Sequence, residues 1–528
     1  MDINFSLISE GLANTYGDKE ILVNVEKNRR YTYREYHKLT NQIVNMMTGK
    51  LGLTKNDRYS LILKNDNLSL LHFFTALKGA ASAAYCNYVD PAGTQIEQID
   101  AVNPSVTFIE SDLVESHHAE LTRRNIKIVC MDKPEVDPGF PGVSYFWELL
   151  EGVSDENPNI IHDDRDDCLI MRYTGGTTGK SKCVMYSLDN WMANKDLHLS
   201  IFDKMPADGG RQLHMAPISH ASGAVILPCM FSGGCIVTMN VRCMMKWCHW
   251  VQQEKATQSL LLPTLLYALM VSPNVKDYDL SSLETLYYGG STMCPTKLKE
   301  LRTLFKDTDF VQIYGSSEHV GWVTSLGGAD HNMDDEKCVA RIVTAGRVVP
   351  GVELKIVRSN GNQANIGEIG EIWIRSRAIC MGYLDNPEKT KEEFVDGFWK
   401  SGDAGKIDED GYVSVIDRMK DKIETVHGTV YPTAIEAALN ANLNVYASAV
   451  VGSPQDDGSE LVHADVILNP DDDITEADLI QFAREGLEAD RVPSSITFVK
   501  CMPTSPVGKV LRNEVKNRHI ELTQQETA

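Results

Sequence analysis

Short apolar runs rich in β-formers alternate with longer stretches of helical spacing through the first half of the chain. YSLILK (59–64) precedes LSLLHFFTALKGA (68–80), and SVTFIE (105–110) and KIVCMD (127–132) follow. This alternation predicts parallel strands joined by crossover helices, the signature of α/β layers. LSLLHFFTALKGA reads as a helical pattern between two such strands. A second α/β stretch passes through ILPCMFSGGCIVTMN (226–240) and SLLLPTLLYALM (259–270). Segments 132–143 and 155–167 are rich in Pro, Gly and Asp and predict surface loops between subdomains.

After about residue 340 the texture changes. VELKIV, GEIGEIWIRS and GYVSVIDR predict short strands joined by Gly, Asn and Asp turns, a small β-subdomain. From about 421 a compact unit follows: helix IEAALNA, strands ASAVVGS and HADVILN, helix DLIQFAREGLEA and strand ITFVKCM. The expected division is a large N-terminal domain over 1–416 and a small C-terminal domain over 421–528, with the joint at 417–420. The expected fold class is α/β, with an α+β C-terminal domain.

Composition narrows the function. The chain has 528 residues, enough for several cores, and a net charge of −22. An acidic chain repels polyanions, so no nucleic-acid partner is expected. An anionic small ligand would need locally placed cations or backbone N–H groups. The 12 cysteines are scattered without a CxxC or zinc-site spacing, which predicts reduced thiols. The sequence MDINFSLISEGL has no apolar signal core, and no stretch of 18 apolar residues occurs. A cytoplasmic protein with no membrane span is expected.

The chemistry concentrates first in LIMRYTGGTTGKSKCVMYS (169–187). A strand-like run leads into Thr174, Gly175, Gly176, Thr177, Thr178, Gly179 and Lys180, then Ser181 and Lys182. Glycines let the backbone turn tightly, and successive N–H groups form an anion-binding nest. Threonine hydroxyls and two lysines add donors and charge. The Walker pattern needs four residues between its glycine and the Gly-Lys pair. Gly175 and Gly179 are separated by three, so this is a different phosphate loop.

The segment resembles the YTSGTTGxPKGV signature of the adenylate-forming superfamily, with Gly176, Ser181 and Cys183 as departures. Further motifs of that superfamily follow in order along nearly the whole chain. They are 216–223 (APISHASG), 288–292 (YGGST), 314–318 (YGSSE), Gly346-Arg347 with Pro350-Gly351, 370–383 (GEI to MGY), 399–403 (WKSGD), 417–421 (DRMKD) and 503–512 (PTSPVGKVLR). The resemblance implies an AMP-forming acyl-CoA synthetase or ligase that uses ATP and coenzyme A as cosubstrates and Mg²⁺ as metal. Its partner would be a small carboxylic acid, and the chain a monomer or homo-oligomer.

Roles follow from the resemblance, position by position. Thr174 to Lys180 would hold phosphates, and Gly290, Ser291 and Tyr314 would meet adenine. Ser317 would bond the α-phosphate, and Glu318, a hard oxygen donor, would ligate Mg²⁺. Asp403 and Arg418 would hold the ribose. Lys509 would bridge carboxylate and α-phosphate as the catalytic lysine, and His220 would orient the acyl group. His220, Gly223, Gly289 and Gly290 would line the acyl pocket. Lys420 would be the hinge about which a mobile C-terminal domain rotates between half-reactions.

Where the superfamily usually reads KxxGxxVxPxEIE, residues 424–436 read ETVHGTVYPTAIE. His427 stands at a usual glycine, Glu424 at a commonly basic place and Ala434 at a usual acid. The acyl acceptor therefore stays open between coenzyme A, a carrier protein and an amine. A luciferase-like oxygenase and a non-catalytic nucleotide-binding scaffold are disfavoured, the latter because Glu318, Asp403 and Lys509 are all present.

Overall fold

The computed structural model describes residues 1–136, 138–174, 181–201, 210–470, 472–488, 491–504 and 510–527, with 524–527 described by backbone only. Two large sheets dominate. In the first, Arg58–Leu63, Ser82–Asn87, Val106–Ile109, Lys127–Cys130, Val143–Tyr145 and Ile170–Tyr173 run parallel. The edge beyond Ile170–Tyr173 is antiparallel, formed by Cys183–Tyr186 and Gly382–Tyr383. In the second, Glu20–Asn24, Arg211–His214, Cys235–Thr238, Gln258–Leu261, Thr285–Gly289 and Asp309–Tyr314 are parallel.

The apolar runs form parallel strands because helices cover both faces. Every residue of Val106–Ile109 and of Cys235–Thr238 is buried. Helix Tyr33–Gly49 starts on a capping box between Thr32 and Glu35 and buries Ile43, Val44, Met46 and Met47. One core joins Tyr59, Leu61 and Tyr85 of the first sheet to Leu22 and Ile236 of the second. The two sheets therefore share an interior, and groups at their seam are out of water.

One sequence expectation is corrected here. The stretch 68–80 is not one helix but the end of Asn65–Leu71 and then Phe74–Lys78. The break falls at His72–Phe73, where Phe73 has φ +33°. Packing outweighs helical propensity: His72 stacks on Phe73 at 3.7 Å and its Nδ1 meets the Tyr85 hydroxyl at 2.5 Å. Segment 155–167 is also more than a loop, since His162–Asp163 pairs with Asp2–Ile3.

The β-subdomain is an antiparallel sheet of Glu353–Val357, Gly370–Arg375, Phe398–Ile407 and Val413–Arg418, with the short strand Phe394–Val395. Past Arg418 a separate core forms from Ile423, Ile435, Leu439, Val450, Val462, Val466, Leu479 and Ile496. Its strands are Val445–Pro454, Glu460–Leu468 and Ser495–Phe498, flanked by helices Pro432–Asn440 and Glu476–Gly486. The 12 cysteines form no disulfide, and Cys501 is the exposed one. Among the described residues no helix is long and apolar enough to cross a membrane.

Candidate active site

Most candidate residues gather at the carboxyl ends of parallel strands, where open α/β sheets present ligand crevices. Thr174 follows Ile170–Tyr173. Gly289 ends Thr285–Gly289, with Gly290 and Ser291 exposed just beyond it. Tyr314 ends Asp309–Tyr314, and Ser317 and Glu318 follow within four residues. Gly290 has φ +80°, a conformation that favours glycine at this turn.

The base of the glycine-rich loop is fastened at Thr174. Its N–H donates to the Lys182 carbonyl at 2.9 Å, and its Oγ1 accepts from the Lys182 N–H at 3.1 Å. Gly175, Gly176, Thr177, Thr178, Gly179 and Lys180 lie outside the described residues, as does Lys509. Lys182, at the far end of the loop, has two protein partners. Its ammonium bonds Glu393 at 2.8 Å and sits 4.4 Å above the Tyr383 ring. Burial pushes the Glu393 carboxyl up, but Lys182 and Tyr383 outweigh it and hold that group below its ordinary value.

Tyr383 connects this ion pair to Glu318. Its hydroxyl lies 3.0 Å from Glu318 Oε1 and also within hydrogen-bond reach of Glu393. Glu318 is 8% exposed, and burial raises its carboxyl above the ordinary value. A cation at Glu318 would offset that desolvation. The donor set fits Mg²⁺ only with help from a ligand. One carboxylate supplies hard oxygens, and no group of three metal-binding side chains exists among the described residues. Phosphate oxygens would have to complete the shell.

The second cluster is Tyr314, Asp403 and Arg418. Asp403 and Arg418 face each other on neighbouring antiparallel strands. Arg418 Nε lies 3.0 Å from Asp403 Oδ1, and the Tyr314 hydroxyl donates to Asp403 Oδ2 at 2.6 Å. Asp403 is thus buried yet charge-paired, and Arg418 keeps partial exposure. Lys420 lies beyond Arg418, near enough to feel the charges of Arg418, Lys182 and Asp403.

The third group is the 217–223 turn. The His220 N–H donates to the Pro217 carbonyl and the Gly223 N–H to the His220 carbonyl. A side chain at Gly223 would run into the Ile218 carbonyl at 2.1 Å. The ring of His220 is half-buried with Nδ1 2.9 Å from Ser219 Oγ, and burial first, then Arg172 and Arg242, pull it down to about 4.

Sequence reading missed two participants, Glu393 and Arg172, and two pairings. Lys182–Glu393 and Tyr314–Asp403 join residues 211 and 89 positions apart, with no local signal. Arg172, also missed, stands two residues before Thr174, and its oddity was legible as a charge inside an apolar strand.

Known proteins resemble this chain along most of its length. Residues 10–384 match the AMP-binding enzyme family, and residues 434–509 match the AMP-binding enzyme C-terminal domain. A medium/long-chain-fatty-acid–CoA ligase of Mycobacterium tuberculosis is 30% identical over 67% of this chain, which spans 62% of that protein. A feruloyl-CoA synthase of Amycolatopsis is 32% identical over 70% of this chain and 73% of its own. A fatty acid–[acyl-carrier-protein] ligase of Streptomyces coeruleorubidus is 28% identical over 93% of this chain and 92% of its own. The solved structure of an amide bond synthetase from Marinactinospora thermotolerans superposes with TM-score 0.84 at 23% identity, over 98% of this chain and 99% of that one.

Proposed function

We propose that this chain, which belongs to the family of AMP-binding enzymes, activates a carboxylic acid with ATP to an acyl-adenylate and pyrophosphate, then passes the acyl group to the thiol of coenzyme A. The observation that carries the reading is the meeting of Tyr314, Asp403 and Arg418 beside Glu318 at one strand-end crevice. Asp403 presents carboxylate oxygens to ribose hydroxyls, and Arg418 holds that carboxylate while offering the rest of its fork. Gly290 and Ser291 leave room for a purine on the exposed rim. Thr174 anchors a loop whose glycines and threonines suit the β- and γ-phosphates.

In this reading Glu318 would hold Mg²⁺ against phosphate oxygens, and the metal would neutralise charge there. Ser317 would donate to the α-phosphate. His220, neutral at ordinary pH, would orient the acid without competing for a proton. Lys509 would bridge the attacking carboxylate and the α-phosphate, where charge develops. Residues 1–416 would bind ATP and acid, and 421–528 would deliver Lys509 about a hinge at 417–420. Gly289 and Gly223 would keep the acyl channel open.

A second reading makes the acceptor a carrier protein or an amine. The departures in residues 424–436 favour it, since Glu424 faces away from the usual basic character. Against it, Glu424 is neutralised in place: Lys422 pairs with it at 2.6 Å and Thr429 donates to it at 2.7 Å. Acid-dependent ATP–pyrophosphate exchange over octanoate, palmitate, ferulate and 4-coumarate tests the first step. Thioester formation with coenzyme A against acyl transfer to a carrier protein separates the readings. No exchange with any acid would sink both.

A further inference from the structure

Arg172 is a cation in the interior. It is 7% exposed, at the seam between the two sheets. Among the described residues no carboxylate pairs with it, and its Nε has no hydrogen-bond partner. Its guanidinium packs 4.4 Å from the Trp191 ring and 5.7 Å from Tyr85. Aromatic faces return part of the lost hydration but not the cost of an uncompensated buried charge. A fold seldom keeps such a group unless an anion visits it.

The direction of Arg172 names the place. Nη1 donates to the His220 carbonyl at 3.4 Å, and Nη2 lies 2.9 Å from where a Cβ on Gly223 would stand. Nη2 also meets His72 Nε2 at 3.5 Å. The same turn is held from the other side by Asn65, whose Oδ1 accepts from the Ile218 N–H at 3.0 Å and whose Nδ2 donates to the Ala216 carbonyl at 3.0 Å. Every neighbour of the guanidinium in this shell is neutral.

We propose that Arg172 is the positioning residue of the acyl site: it fixes the 217–223 turn through the His220 carbonyl and sets the positive field that draws the acid's carboxylate to that turn. This rests on the adenylating reading given above. The acid's carboxylate is an anion that the reaction brings to this side of the crevice, and it supplies the charge that the fold leaves out. The same charge faces the ring of His220, together with Arg242. Ser219 Oγ sits on Nδ1 of that ring, and His72 and His214 behind the turn are themselves kept neutral by burial.

Two substitutions separate charge from geometry. Arg172→Gln keeps a polar side chain and loses the charge. Arg172→Lys keeps the charge and loses the fork. In exchange assays with octanoate or 4-coumarate, Arg172→Gln should raise the KM for the acid about tenfold and leave the KM for ATP unchanged. Arg172→Lys should keep the acid's KM near the parent value and lower kcat. In the ligand-free protein, NMR titration of the His220 ring, assigned by its loss in His220→Gln, should move upward in Arg172→Gln and stay in place in Arg172→Lys. An Arg172→Gln protein with parental KM for the acid and parental ring titration would overturn the proposal. Equal losses in both variants, with the KM for ATP raised alongside, would make Arg172 a structural residue and overturn it too. Should the parent protein turn over no acid, the functional reading fails, and the ring titration alone decides on Arg172.

Discussion

Tyr314 and Asp403, 89 positions apart, meet through a 2.6 Å hydrogen bond that ties the end of a parallel strand to the β-subdomain. The bond fixes one carboxylate oxygen, while Arg418 holds the other at 3.0 Å. In the proposed function, Asp403 would therefore meet the ribose pre-oriented from two sides. Asp403→Ala should raise the KM for ATP more than about tenfold, because it also leaves Arg418 unpaired. Tyr314→Phe should raise it only about two- to fivefold, the worth of one hydrogen bond. Exchange kinetics at varied ATP check both, and an unchanged ATP dependence in Asp403→Ala would exclude the ribose role.

Glu318 separates function from stability. Burial raises its carboxyl, so the charged form is disfavoured in the folded state. A group with a raised folded value favours folding at low pH and costs stability once the pH passes that value. Glu318→Gln should leave thermal stability at pH 7 equal or higher, while exchange falls about 10²-fold from loss of the anionic ligand. A parallel loss of stability would reveal a structural carboxylate instead.

Lys509→Ala should reduce acid-dependent exchange by roughly 10²–10³ or more and spare thioester formation from preformed acyl-adenylate. Retained exchange would remove Lys509 from the adenylation step. The test bears directly on the proposed division of the two half-reactions between the domains.

Lys297 links the C-terminal unit to the rest of the chain. It is 3% exposed, and its ammonium donates to the carbonyls of Val445 at 2.7 Å and Tyr446 at 3.3 Å. Burial pulls it down to about 8, against about 10.4 for a free lysine. The docked form thus binds fewer protons than the undocked form. Docking should strengthen as the pH rises from about 8 towards 10, and the linked cost should be fully present below 8. Lys297→Met should abolish that pH dependence. Fluorescence transfer between labels on the two units would measure it, and an unchanged dependence would rule out Lys297 as its source.

The fold was legible where local pattern suffices. Apolar strands such as Val106–Ile109 are buried on both faces, so composition alone marks them. Helix 68–80 was misread because its break at His72–Phe73 is imposed by Tyr85 from another strand. Arg172 stands as a charge in an apolar run, but only the seam between the sheets shows that no carboxylate among the described residues balances it.

By itself the order of residues determined the family, the α/β class and the reaction type, because glycine turns, strand runs and motif order are short-range properties of the chain. Only the tertiary structure decided how the charges are spent. It paired Lys182 with Glu393 and Tyr383, tied Tyr314 to Asp403, and gave Arg172 no carboxylate partner among the described residues. Those choices depend on distances between side chains that sequence separation does not encode, and on burial, which sets how much each charge is worth.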